Sequence, residues 1–124
     1  MAIRKINHNR RILSKKRTSV SKVEFSDIIE FNYKSDNTYD KKPIVFILSI
    51  KSKVLNGINI SYLKESVIEN LLEEKDFKKL RYYSLYQKAF RTYKVSNISM
   101  TKLIEYETLP QRKQRLKEER ENKL

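Results

Sequence analysis

Residues 39–63 read YDKKPIVFILSIKSKVLNGINISYL and show the clearest pattern of regular structure in the chain. Within them, residues 43–50 form a nearly continuous apolar run that is rich in β-branched side chains. Such a run is typical of a buried strand. It begins with Pro43, which is tolerated at the first position of a strand because no ladder hydrogen bond is lost there. We therefore predict a central strand over residues 43–50.

Residues 54–63 are predicted to form the partner of this strand, connected to it by residues 51–53. Asn59 and Ser61 alternate with apolar side chains, and a period of two predicts a strand. The chain has one glycine, Gly57, which follows an asparagine at the entry to this strand. An Asn-Gly pair marks a tight turn or a bulge. We therefore expect Gly57 to serve the backbone geometry.

Residues 23–33 add a third segment with strand character. Apolar residues alternate in two phases on either side of Ser26-Asp27, which predicts one strand with a bulge or two short strands. Three strands so close in sequence predict an antiparallel meander, and an SH3-like unit is one form that it could take.

The remainder of the domain shows helical spacing. Apolar residues recur at intervals of three and four over residues 64–74 and 76–93, with a break near Tyr83. Asn97 or Ser99 is placed to cap a short helix with apolar residues at Met100, Leu103, Ile104 and Tyr106. The predicted class is therefore α+β, a small antiparallel meander followed by several helices.

A last helix is predicted over residues 108–124. Thr108 can cap it, and Pro110 lies in its first turn, where proline is tolerated because its missing N–H would have no intrahelical partner. The sequence of this helix is dominated by charges of both signs and has almost no apolar face. We expect it to project from the body or to lie against a charged partner.

The composition is that of a small single-domain protein. The chain has 124 residues, no cysteine and one histidine, so disulfides, thiolate chemistry and multi-histidine metal sites are excluded. No apolar run approaches the roughly 20 residues that span a bilayer, and the basic N-terminus has no apolar signal core. We expect a protein without membrane contact, soluble inside a cell or held in a particle assembled there.

The net charge of +13 is unevenly distributed. Residues 1–23 hold eight Lys/Arg and no acid, whereas residues 24–109 hold fourteen basic and twelve acidic residues. Residues 110–124 hold six basic and three acidic residues. Because residues 1–22 have sparse apolar side chains and no sustained period, we predict that they form an extended basic arm. The folded domain is then predicted over residues 23–107.

The arm is the candidate binding element of the chain. Its cations are spaced like those of a tail that neutralises DNA phosphates, and they are Arg4, Lys5, Arg10, Arg11, Lys15, Lys16, Arg17 and Lys22. Two other interpretations stay open, namely charge matching to an acidic protein surface and a solubilising tail without a specific partner.

The sequence contains no recognisable catalytic constellation. One glycine cannot form a phosphate-binding loop, no zinc spacing is present, and the carboxylate pairs at Glu73-Glu74 and Glu118-Glu119 lie among lysines. His8 lies among basic residues without an acidic partner that could orient it as a general base. We therefore predict no enzyme, no cofactor and no metal.

The central block carries a longer pattern of short motifs. An aromatic strand is followed by a Tyr-Asp…Pro turn, an apolar strand, Gly-Ile-Asn-x-x-Tyr-Leu, and a helical segment that ends in Arg-x-Tyr. The matching segments are Phe31-Asn-Tyr33, Tyr39-Asp40 with Pro43, residues 44–48, residues 57–63 and Arg91-Thr-Tyr93. Over residues 29–106 this resembles small proteins of large tailed bacteriophages. Its structural motif residues are Pro43, Gly57, Asn59 and Tyr62, and Ser61 stands where that group usually has histidine.

The resemblance implies a phage context, since such proteins are typically part of the virion or connected with DNA packaging. Because a small body with long charged arms suits assembly, we predict a structural component of head, neck or tail, located in a virion that is assembled in the host cytoplasm. The predicted partners are other virion proteins and, through the basic arm, double-stranded DNA. The alternative is a free DNA-binding accessory protein that acts in phage DNA replication or packaging.

Overall fold

The computed structural model describes residues 5–34, 41–81 and 84–122. Within them the chain is an α+β protein in which six strands form one antiparallel sheet. The strands are β1 (Ile12–Arg17), β2 (Ile28–Tyr33), β3 (Ile44–Lys51), β4 (Val54–Asn59), β5 (Phe90–Lys94) and β6 (Ile98–Tyr106). The α-helices of the described residues are α1 (Glu65–Glu74), α2 (Lys78–Arg81) and α3 (Leu109–Asn122).

The strand order in the sheet is β1-β6-β2-β3-β4-β5. β2, β3 and β4 are neighbours both in sequence and in space, which confirms the predicted meander. β6 pairs with the other side of β2, β1 pairs with β6, and β5 pairs with β4. The two edges of the sheet are therefore β1 and β5, which are far apart in sequence.

Both faces of the sheet are buried around β3, because its apolar run has side chains on each face. One face packs against α1 through Ile68 and Leu71. The strand residues in the core of that face are Ile28, Phe46, Ile58, Ile104 and Tyr106. The core of the other face is formed by Ile29, Phe31, Val45, Ile47, Leu55 and Tyr93.

Two helices begin and end as their sequence indicates. α1 matches the helix predicted over residues 64–74, and it ends because Lys75 adopts a left-handed conformation with φ 55°. α3 begins after Thr108, which forms a capping box with Gln111. The Thr108 N–H donates to Gln111 Oε1 at 2.8 Å, and the Gln111 N–H donates to Thr108 Oγ1 at 3.4 Å.

The prediction of an extended arm over residues 1–22 is wrong for the part of it that the structure describes. Residues 12–17 form β1, in which Lys15 lies opposite Ile104 and Arg17 lies opposite Lys102. The strand was hidden in the sequence because it lies at the sheet edge, where polar side chains are tolerated, and because a bulge at Leu13 interrupts its alternation.

Two predicted helices are strands in the structure. The helix predicted over residues 76–93 is limited to α2 and a 3-10 helix at Ser84–Ala89, and β5 follows. The short helix predicted through Met100 and Tyr106 is β6. A bulge at Met100, which has φ 54°, interrupts the alternation of buried and exposed residues in β6. The partly buried Ile98 is followed by the buried Thr101 and Ile104 at intervals of three residues, as on one face of a helix. The break predicted near Tyr83 lies outside the described residues.

The strand predicted from residue 23 begins only at Ile28. Residues 23–27 form a loop in which Ser26 has φ 73° and donates its N–H to the Ile47 carbonyl at 3.0 Å. The β3–β4 turn lies at Ser52-Lys53, both with positive φ, within the connection predicted over residues 51–53. The Asn56-Gly57 pair forms no turn, because both residues lie inside β4.

Gly57 lies inside β4 and has no positive φ, so a close approach rather than a turn explains it. A Cβ atom at this position would lie 2.2 Å from Val45 Cγ1 and 2.8 Å from the backbone oxygen of Phe46. The facing strand has a bulge at Leu48, between the pairs Ile47↔Gly57 and Ser49↔Asn56. The predicted bulge therefore exists, but in β3, and glycine is needed because β3 lies too close for a side chain.

We predict that Gly57→Ala lowers the free energy of unfolding by about 1–3 kcal/mol, because the added methyl group overpacks a core without space. Chemical denaturation measures this loss. In a Val45→Ala background the cost of Gly57→Ala should be smaller, since one of the two contacts is then relieved. A change of less than about 0.5 kcal/mol in the wild-type background would show that the strands separate easily.

Candidate nucleic-acid interface

Arg11, one of the predicted DNA contacts, is buried and faces the protein interior. Its Nε and Nη2 atoms donate to the Glu107 carbonyl at 3.0 Å and 2.7 Å. Nη1 donates to Glu65 Oε2 at 3.1 Å, and Nη2 also donates to Glu69 Oε1. The guanidinium lies over the Tyr106 ring, with Cζ 5.3 Å from its centroid. These contacts join the N-terminal segment to α1 and to the end of β6.

A second charged pair anchors α3 to the same region. The Glu107 carboxylate is buried and accepts from Arg115 Nε at 2.9 Å and from Nη2 at 3.4 Å. This hydrogen bond from Arg115 holds the pKa of Glu107 below its ordinary value of 4.5. Arg112 also lies near Glu65, at 3.9 Å. The sequence predicts that the last helix projects from the body or lies against a charged partner, whereas its first half pairs with acidic residues of the chain's own body.

His8 is buried beside Arg11 and fastens the N-terminal segment at another point. Its Nε2 lies 3.0 Å from the Ile60 carbonyl and 3.1 Å from the Leu63 carbonyl, and since both are acceptors, Nε2 carries the proton. Tyr106 lies next to it, with the ring centroids 6.1 Å apart. Burial raises the pKa of the Tyr106 hydroxyl to about 12, against the opposing effect of Arg11. His8 is therefore a packing residue and not a surface contact.

The other predicted contacts are brought together only in part. Arg4 lies outside the described residues, and Lys5, Arg10 and Lys22 are exposed but lie apart from β1. The consecutive residues Lys15, Lys16 and Arg17 are exposed on the edge strand, where Lys15 and Arg17 share one face.

The face of β1 that carries Lys15 and Arg17 continues onto β6. Lys102 lies directly opposite Arg17 and also opposite Glu30 of β2, so these side chains share one face of the sheet. Lys15 Nζ lies 3.0 Å from Glu30 Oε2. Three cations and one carboxylate therefore form a basic patch at the β1 edge, which we call the β1 patch and define as Lys15, Arg17, Lys102 and Glu30.

The four motif residues of the central block have structural positions. Pro43 is buried and its carbonyl accepts from the Phe31 N–H at 3.3 Å. Asn59 is buried and its Oδ1 accepts from the Ser61 N–H at 3.0 Å, which caps a 3-10 helix at Ile60–Tyr62. Tyr62 lies under the guanidinium of Arg91 at 5.6 Å. Gly57 lies on β4, between β3 and β5. The contacts of the four motif residues are therefore all within the folded chain.

A second basic region was missed by the sequence reasoning. Residues 41–64 and 77–104 contain no Asp or Glu, and the fold assembles them into β3, β4, β5 and most of β6. Seven exposed cations lie in or directly beside β3, β4 and β5, and they are Lys41, Lys42, Lys51, Lys53, Lys88, Arg91 and Lys94. We call these seven residues the acid-free surface.

The acid-free surface escaped notice because the charge of residues 24–109 was averaged. All twelve acids of that range lie within residues 24–40, 65–76 and 105–107, so the near-neutral total conceals two segments without acids. The positions of the acids along the sequence are the signal that could have revealed it.

The described residues contain no group of three or more His, Asp or Glu placed to hold a metal ion. Among these same residues, no helix combines the length and the apolar character that a membrane crossing requires. No known protein family matches the chain, and no curated protein or solved structure matches it either.

We predict that Arg11→Ala lowers the free energy of unfolding by about 3 kcal/mol, because it leaves the partners of a buried charge unpaired. Arg10→Ala is the matched control: the neighbouring arginine is exposed, so its loss should cost less than about 0.5 kcal/mol. Chemical denaturation of both variants measures the difference. Equal effects would mean that Arg11 contributes no more than a surface cation.

We also predict a specific loss of stability in acid. Since the pKa of Glu107 is lowered in the folded state, its contribution is present above the ordinary pKa of 4.5 and is lost as the pH falls below it. The free energy of unfolding of Glu107→Gln should therefore depend less steeply on pH than that of the wild-type protein, between about pH 5 and 3, the window set by the lowered pKa.

The matched control for this acid titration is Glu118→Gln, which changes an exposed carboxylate on α3 in the same way. This variant should keep the pH dependence of the wild-type protein. If Glu107→Gln also keeps the wild-type pH dependence, the ion pair with Arg115 does not stabilise the folded state.

Proposed function

We propose that this protein is a structural component of a tailed-phage virion that binds neighbouring subunits and duplex DNA. The observation that carries the DNA contact is the run Lys15, Lys16 and Arg17, three exposed cations fixed on a strand that pairs with β6. Cations held at fixed spacing neutralise phosphates without ordering a flexible tail. The phage context comes from the motifs of residues 29–106.

The α3 helix supports a role in assembly and binding. α3 carries charges of both signs along fourteen residues and is attached to the body mainly through its first half, by Arg112 and Arg115. Its outward residues are then accessible to a neighbouring subunit. We also propose that the meander of β2, β3 and β4 takes an SH3-like form.

A free DNA-binding accessory protein in phage replication or packaging is the second candidate. It is favoured by the acid-free surface, because a second basic region on other strands than the β1 patch suits a protein that contacts nucleic acid through more than one surface. Mass spectrometry of purified virions separates the two. A fixed copy number per particle is expected for the virion component, and absence from the particle would contradict it.

We predict that Lys15→Gln/Lys16→Gln/Arg17→Gln weakens duplex binding and makes its dependence on salt shallower. Each neutralised phosphate contributes about 0.9 to the slope of log affinity against log salt, so the slope should fall by about 2–3. Deletion of the N-terminal residues is unsuitable here, because it would remove β1 and Arg11 from the fold.

The matched control is Lys113→Gln/Lys117→Gln/Arg120→Gln, which removes three exposed cations from α3. It should change the slope by less than about 1, the contribution of one phosphate. If both triple variants change the slope equally, DNA responds to total charge, and the β1 patch is not a contact site.

A further inference from the structure

A depression lies at the β5 edge of the sheet, where Arg91 of the acid-free surface is one of its lining residues. Its volume is about 300 Å³. It lies at the opposite edge from the β1 patch, since β1 and β5 are the outer strands. The residues that line it come from β3, β4, the 3-10 helix before β5, and β5, and they are Leu48, Asn56, Gly57, Gln87, Phe90, Arg91 and Thr92.

The side chain of Asn56 is held in one orientation at this depression. Ser49 lies opposite it on β3 and Thr92 lies opposite it on β5. Asn56 Nδ2 donates to Ser49 Oγ at 3.3 Å, and Thr92 Oγ1 donates to Asn56 Oδ1 at 3.1 Å. A carboxamide has two N–H donors and two oxygen lone pairs, so these two contacts leave one N–H and one lone pair for a ligand.

An adjacent donor and acceptor in fixed positions are suited to the edge of a nucleobase. Asparagine and glutamine pair with the donor–acceptor edge of adenine in this way. Gln87 adds a second amide at the rim, where it is exposed. The polar groups of the depression therefore match a planar ligand that has donors and acceptors side by side.

The other lining residues match the rest of a nucleotide. Leu48 and Phe90 supply apolar and aromatic surface for the flat face of a base. Arg91, whose guanidinium lies over the Tyr62 ring, supplies a cation, and the neighbouring residues Lys88 and Lys94 are exposed along the same edge. The lining contains no carboxylate, and none occurs in residues 41–64 and 77–104, which favours a phosphate over a cation at this edge.

The geometry points to a binding site for one unpaired base of single-stranded nucleic acid, with its flanking phosphates on Lys88, Arg91 and Lys94. A volume of about 300 Å³ is at the lower limit for ligand pockets, which suits a single base better than a larger cofactor. The depression is also open to solvent along the edge, as a continuous strand requires. This site is independent of the duplex contact at the β1 patch.

The test is fluorescence anisotropy with a labelled single-stranded oligonucleotide of mixed sequence. Gln87→Ala/Thr92→Val changes no charge and alters two exposed side chains, so the fold should be retained. It should weaken binding about tenfold, the effect of losing one well-placed base contact. The side-chain amide signals of Asn56 should also shift when the oligonucleotide is added to the wild-type protein in an NMR titration.

Gln114→Ala on α3 is the neutral control and should leave the affinity unchanged, while Lys113→Gln measures the effect of removing one charge elsewhere. Unchanged affinity in Gln87→Ala/Thr92→Val would overturn the site, as would equal losses in Arg91→Gln and Lys113→Gln. A nucleoside monophosphate is the second probe. If it binds as tightly as the oligonucleotide, the ligand is a free nucleotide and the single-strand assignment is wrong.

Discussion

The burial of one arginine organises this protein. Arg11 is almost completely removed from solvent, and a charge in that position costs free energy unless it is paired. Four of its N–H groups are used by the Glu107 carbonyl, Glu65 and Glu69. Because these partners come from α1 and from the end of β6, the guanidinium can be satisfied only when helix, sheet and N-terminal segment are assembled together.

The position of Arg11 determines where the cations that follow it in the chain lie. The residues that follow it enter the sheet as β1, which pairs with β6 and fixes Lys15 and Arg17 beside Lys102. Lysines and arginines on an edge strand also hinder pairing with other strands, so this edge has a protective role whether or not it binds DNA. The acid-free surface forms independently, where the β3–β4 hairpin is joined by β5.

The parts of the fold that depend on neighbouring residues could be predicted from the sequence. β3, α1 and the capped start of α3 are local, and each carries its own periodic or capping signal. β1, β5 and β6 could not be recognised, because β1 and β5 are edge strands and a bulge at Met100 gives β6 an apparent helical interval. Their partners are distant in sequence, and a local pattern contains no information on such pairing.

The candidate site shows the same division. The cluster of Lys15, Lys16 and Arg17 can be recognised in the sequence as a run of charge. The sequence does not show that Arg10 is exposed and its neighbour Arg11 is buried. The Ser49–Asn56–Thr92 contacts depend on the register of three strands and on the bulge at Leu48. No spacing in the sequence predicts that these three residues lie together.

The central claim is that the basic N-terminal segment is part of the folded sheet and not a free arm. Amide hydrogen exchange of the full-length protein at neutral pH tests it most directly. The amides of β1 that pair with β6 should be protected and should exchange with the same cooperative opening as those of β6. Exchange of residues 12–17 at the rate of an unstructured peptide, while β2, β3 and β4 stay protected, would contradict the account.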